Sequence, residues 1–174
     1  MKKIATLTLV VLLFLSFAFL GGGVSTANAS SPTIFEFNVM TGVTPPYTGT
    51  TNAIRSIPGG GLPWVVGSAV GELKANGSLE IKVSGLVIDP NDPTAIARGL
   101  AGVNPSPNFK VIVSCLSKDA DGNPSTVNVS SDLFPASADG NAKTEQMLEL
   151  PHPCIAPLLF VTSPAGAWFA STGN

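Results

Sequence analysis

Beyond residue 29, no long interval of this chain escapes glycine and proline. There are 18 glycines and 15 prolines in 174 residues. Beyond residue 29, the longest stretch free of both runs only from Asn108 to Asp121. Proline removes a backbone donor and fixes φ, while glycine carries the largest entropy cost in an element interior. Long helices are therefore excluded, and the chain must fold from short extended segments joined by turns.

The first 29 residues stand apart. Met1-Lys2-Lys3 gives a positive start, Ile4 to Leu20 is an uncharged apolar run, and Ala27-Asn28-Ala29 is a small-x-small cleavage site. These are the three parts of a secretory signal peptide in order, so residues 1–29 read as a leader and 30–174 as the mature domain. An uncleaved anchor is the rival reading. The apolar run is about 17 residues, at the bottom of the spanning range, and Gly21-Gly22-Gly23 interrupts it. Loss of Lys2 and Lys3 leaves seven Lys/Arg against 11 Asp/Glu, a net charge of −4. That weakly acidic surface carries no basic footprint for nucleic acid. After leader cleavage no second apolar run is long enough to span a bilayer.

An exported chain meets an oxidising compartment, where the two cysteines, Cys115 and Cys154, are expected to form one disulfide. The alternating segment Ile34–Val39 opens the domain as a strand. Thr41 to Leu62 reads as a long Gly/Pro/Thr-rich irregular loop with few core candidates. Its Pro58-Gly59-Gly60-Gly61 lacks the Lys-Ser/Thr and the helix of a phosphate-binding loop. Leu73, Ile81 and Val83 share one face of a hairpin, with Glu72, Lys74, Glu80 and Lys82 on the other. Two three-residue turns keep those faces separate. Ala75-Asn76-Gly77 puts Gly77 in the left-handed position and Glu72 opposite Glu80, and is preferred. Asn76-Gly77-Ser78 pairs Glu72 with Lys82 instead.

A short helix follows Asp92 as cap and Pro93 as first residue, with Ile96 and Leu100 four apart and Gly102 as terminator. Further strands are expected at Phe109–Cys115, Thr126–Val129, Thr144–Leu150, Ile155–Thr162 and Ala167–Ala170. Leu158 to Val161 is apolar on both faces, as a central covered strand should be. The pattern predicts an all-β fold, an antiparallel β-sandwich with one disulfide, with a small β-barrel as the alternative.

Chemistry-bearing motifs are sparse. His152 is the single histidine, held between Pro151 and Pro153, and no serine lies in a nucleophile elbow. One histidine and two bridged cysteines make no usual zinc site. Asp119-Ala120-Asp121-Gly122-Asn123 begins like a calcium loop, but Pro124 and Ser130 stand where Gly and Glu are needed, so it reads as a hairpin turn. Asp89-Pro90-Asn91-Asp92 reads as a turn plus helix cap. Glu36, Glu145 and Glu149 fall on solvated strand faces, so a carboxylate pair for glycoside hydrolysis has no particular support. Trp64, Trp168 and Tyr47 are the residues able to stack on a sugar and so the candidate ligand contacts; for each Trp the default reading is core packing. Asn76-Gly77-Ser78 and Asn128-Val129-Ser130 match glycosylation sequons, which a bacterium would carry by chance.

Five segments have a familiar look: Gly60-Gly61-Leu62-Pro63-Trp64, Val113-Ser114-Cys115-Leu116, Pro153-Cys154-Ile155-Ala156-Pro157, Phe160-Val161-Thr162-Ser163-Pro164 and Ala167-Trp168-Phe169. On them the chain resembles a group of small secreted bacterial proteins of unassigned function, from about Pro58 onward. The resemblance implies export and bacterial origin and carries over no functional residue. The expectation is a secreted or envelope-associated, non-enzymatic bacterial domain, structural or ligand-binding, without cofactor or metal. Its partner would be a cell-wall glycan or another secreted protein, met by the loop 41–62. The alternatives are a small hydrolase using paired carboxylates or Ser–His152, and a protease inhibitor presenting that loop.

Overall fold

The structure, a computed structural model, describes residues 30–173; the expected leader lies outside them. The chain runs β1 (Thr33–Phe37), β2 (Thr41–Gly42), β3 (Trp64–Val65), β4 (Ser68–Lys74), β5 (Ser78–Ser84), β6 (Val87–Ile88), α1 (Pro93–Ala97), β7 (Asn108–Lys118), β8 (Pro124–Ser130), β9 (Phe134–Pro135), β10 (Ala142–Met147), β11 (Ile155–Thr162) and β12 (Trp168–Ser171). A four-stranded sheet has the order β1-β4-β5-β10, and a larger one the order β2-β12-β11-β7-β8, with β9 on the end of β7. The paired strands are antiparallel throughout. Neither sheet closes on itself, so the fold is sandwich-like and the barrel alternative fails.

Alternation explains the layers. Leu73 of β4 and Leu79, Ile81 and Val83 of β5 turn inward from the smaller sheet. Phe109, Val111, Val113 and Cys115 of β7 and Leu159 and Val161 of β11 are fully buried in the larger one. Together they form one apolar cluster. Each large apolar side chain taken fully out of water stabilises the fold by about 1.5–3 kcal/mol. Strand β11 lies between β12 and β7, and Leu159 to Thr162 are buried in succession, as a doubly covered strand requires. The Cys115–Cys154 disulfide forms, tying β7 to the start of β11 with a sulfur separation of 2.04 Å.

The hairpin takes the turn with Ala75-Asn76-Gly77. Leu73 pairs with Leu79 and Glu72 with Glu80, while Gly77 has φ +89° and its N–H donates to the Lys74 carbonyl. A side chain at Gly77 would collide with the Leu148 carbonyl, so backbone conformation and space both demand glycine.

Several expectations are corrected. The helix is one turn shorter: Asp92 caps the Ala95 N–H as expected, but the helix ends at Ala97, and Gly99 (φ +68°) turns the chain rather than Gly102. Ala95 is its buried residue and Ile96 is exposed, because five helical residues are too few to build an i, i+4 face. The strand expected at Thr144–Leu150 runs from Ala142 to Met147; Leu148 and Leu150 are buried beyond its end. The two-residue strands β3, β6 and β9 are too short to leave a periodic signal.

The segment Thr41–Leu62 departs furthest from expectation. It contributes β2 and two buried apolar positions, Val43 and Ile57, and Met40 just before it is buried too. Its chain is stitched to the edge of β12: Val43 N–H donates to Phe169 O (2.8 Å), Gly60 N–H to Trp168 O (2.8 Å) and Trp168 N–H to Pro58 O (2.8 Å). Between them, Ile54 and Ile57 bond each other across Arg55-Ser56, both with positive φ (48° and 66°). That is a tight two-residue turn in which Asn-Gly would be the unstrained choice. The Arg55 guanidinium donates to the Ser114 carbonyl (2.7 Å), and Asn128 Nδ2 donates to the Arg55 carbonyl (2.9 Å). The segment is a strap across β7 and β8, and only part of it is free to face a partner.

Candidate functional site

The two candidate tryptophans are not available to a ligand. Trp64 is 3% and Trp168 0% exposed. The Trp64 indole stacks on Phe169 with centroids 3.8 Å apart, and Trp168 meets Phe160 edge to face at 6.0 Å. A bulge makes this arrangement. Strand β12 places Ala170 opposite Val161 but Trp168 opposite Thr162, so Phe169 is the extra residue and turns into the core against Trp64 and Phe109. An indole is among the largest apolar surfaces a small domain can bury, which is why both rings go inward. Tyr47 remains 42% exposed in the strap.

The polar chemistry gathers on the outer face of the smaller sheet. Register sets Glu36 opposite Glu72, Glu72 opposite Glu80, and Glu80 opposite Glu145, giving one row of carboxylates across all four strands. Two residues along, Val70, Lys82 and Lys143 form the neighbouring row. Like charges directly opposite one another destabilise a sheet. Here ammonium groups offset that repulsion. Lys143 Nζ lies 3.1 Å from Glu80 and 2.8 Å from Glu145, and Lys74 Nζ lies 2.8 Å from Glu72. Thr33 Oγ1 also donates to Glu72 (3.2 Å).

The hydrogen bond from Lys74 holds the Glu72 carboxyl below its ordinary range, and the bond from Lys143 does the same for Glu145. In return Lys74 and Lys143 are raised, each chiefly by its glutamate bond. The shifts of Glu72 and Glu145 favour the ionised form of these two carboxyls. Among the described residues, Glu36 and Lys82 make no ion pair, and both line the depression on this face.

That depression has a volume of about 380 Å3 and is lined by residues 36–38 of β1 and its end, by Val70, Gly71 and Glu72 of β4, by Glu80 and Lys82 of β5, and by Lys143 of β10. Pockets for apolar small molecules are lined mainly by apolar and aromatic groups. This one sets charged side chains beside Val70 and Phe37 along an open sheet, a surface with donors and acceptors for a hydroxylated or charged chain.

The remaining sequence candidates do not converge. His152 is exposed in the loop before β11, and no hydrogen bond joins it to a serine or carboxylate among the described residues. Glu149 lies beyond β10, away from the glutamate row. Asp119 Oδ1 accepts from the N–H groups of Asp121 (3.0 Å) and Asn123 (2.8 Å), and the Asn123 bond leads in lowering its pKa; the carboxylate closes its own turn. Asp89 likewise accepts from Asn91 N–H (2.8 Å).

Half of the glutamate row was within reach of the sequence, since the preferred turn already sets Glu72 against Glu80. Placing Glu36 and Glu145 in the same row needs the strand order, which alternation does not give. No protein-family profile, no curated protein and no solved structure matches the chain.

Proposed function

We propose that this is a secreted bacterial binding module without catalytic activity, which engages a cell-wall glycan through the outer face of its four-stranded sheet. Export is supported by the leader-like N-terminus and by the disulfide, which suits an oxidising compartment. The observation that carries the binding role is the in-register lattice of Glu36, Glu72, Glu80, Lys82, Lys143 and Glu145 around an open depression. Such a face matches a polymer that presents hydroxyl, amide and carboxylate groups at regular intervals. It stands on strands rather than on loops, so its groups are held in place before the ligand arrives.

The test is co-sedimentation of residues 30–174 with purified wall fragments and insoluble polysaccharides. Saturable binding to wall fragments is expected, weakened by added salt and by Glu36→Gln or Lys82→Ala. Recovery of all the protein in the supernatant, or binding untouched by both substitutions, overturns the proposal.

A further inference from the structure

The sheet edges are unequally protected. An edge strand presents a row of free N–H and C=O groups, and proteins blunt it with charge, irregularity, shortness or a covering segment. Strand β1 carries Glu36 and a register shift between Thr33 and Phe35. Strand β10 carries Lys143 and Glu145, and its Gln146 bonds the Asp132 backbone alongside. Strand β2 has two residues.

The fourth edge, β8, is the least protected: the strap reaches it only through the Asn128 side chain, which donates to the Arg55 carbonyl, and its one proline, Pro124, stands at the strand's end. It reads Pro-Ser-Thr-Val-Asn-Val-Ser, seven residues without a charged side chain, in unbroken register with β7 from Ser130 to Pro124. Among the described residues, its backbone makes no hydrogen bond beyond the β7 ladder. Val127 and Val129 stay only half-buried.

We propose that β8 is the contact strand of a two-fold dimer, pairing antiparallel with β8 of a second copy about Val127. The mature chain carries a net charge of −4, so two copies repel unless they meet at an uncharged strip, and β8 is that strip. A dyad at Val127 sets Val127 against the partner's Val127, Thr126 against the partner's Asn128, and Ser125 against the partner's Val129. No like charges face each other. Pro124 falls at the end of the ladder, where its missing N–H costs no bond. The pairing is self-complementary, as a closed two-fold interface must be, and it covers the half-exposed valines.

Sedimentation velocity on residues 30–174 is expected to show twice the monomer mass. Val127→Lys and Val127→Glu each place like charges on the dyad and should each sediment as monomers. Mixing the two should restore the doubled mass, with lysine facing glutamate. A monomeric parent at high micromolar concentration overturns the proposal, as do variants that remain dimeric or a mixture that does not associate. Should either variant fail to fold, amide exchange on the unaltered protein decides. Protection of residues 125–130 that grows with protein concentration supports the dimer, and protection independent of concentration overturns it.

Discussion

At the scale of single residues, the glutamate row shows how a sheet tolerates like charges in register. Lys143 is the centre of that arrangement because its one ammonium serves both Glu80 and Glu145. The sign of its pH effect follows from the shift. Glu145 is lowered from an ordinary 4.5, so its stabilisation is present above that value and is lost as the pH falls through the lower folded value. Lys143 is raised from an ordinary 10.5, so its share is present below that value and is lost as the pH rises through the folded one. Replacing Lys143 with Met should let the Glu145 carboxyl titrate back toward 4.5, as read by carboxyl-carbon NMR. An unchanged Glu145 titration would mean that the ion pair does not persist in solution. Exposed pairs of this kind are also screened, so high salt should shrink the difference between parent and variant.

Among the elements, the hairpin and the strap lie at opposite ends of legibility. The hairpin is local: alternation fixes its faces, and the need for a left-handed residue at Gly77 fixes its turn, so its register could be read without the rest of the fold. The strap could not. Its contacts join residues far apart in sequence, Arg55 to Ser114 and Asn128 to Arg55, and its buried positions follow no period. The strain at Arg55 and Ser56 is tolerated because those bonds hold the turn in place. Replacing Arg55 with Ala should lower stability by about 1.5–3 kcal/mol, the worth of a charged hydrogen bond. Arg55→Gly loses the same bond but relaxes the backbone, so it should lie about 1 kcal/mol closer to the parent. Urea denaturation of the three proteins gives the comparison, and an Arg55→Ala midpoint equal to the parent's would show that the strap is not anchored there.

For the molecule as a whole, composition and spacing made the class legible: short antiparallel strands, one bridge and one central covered strand. What stayed hidden was strand order. β10 pairs with β5 and β12 with β2 across long intervals of chain, and alternation is blind to which neighbour a strand chooses. The sequence left the tryptophans between core packing, the default, and a ligand contact for a related reason: a ring's exposure depends on what the other sheet and the strap place over it, and both are buried. The disulfide acts at this scale too. It closes a loop of 39 residues, which in the loop-closure account stabilises the fold by about 4 kcal/mol. The Cys115→Ala, Cys154→Ala double variant should show a loss of that order in urea, and a loss under 1 kcal/mol would mean that the unfolded chain is little constrained by the bridge.

An amide NMR titration of residues 30–174 with soluble cell-wall glycan fragments would read the proposed binding face of the smaller sheet residue by residue. Shifts concentrated on Glu36, Val70, Glu72, Lys82 and Lys143 are predicted. Shifts confined to the strap around Tyr47 or to the larger sheet, or a spectrum unchanged by the fragments, would contradict it.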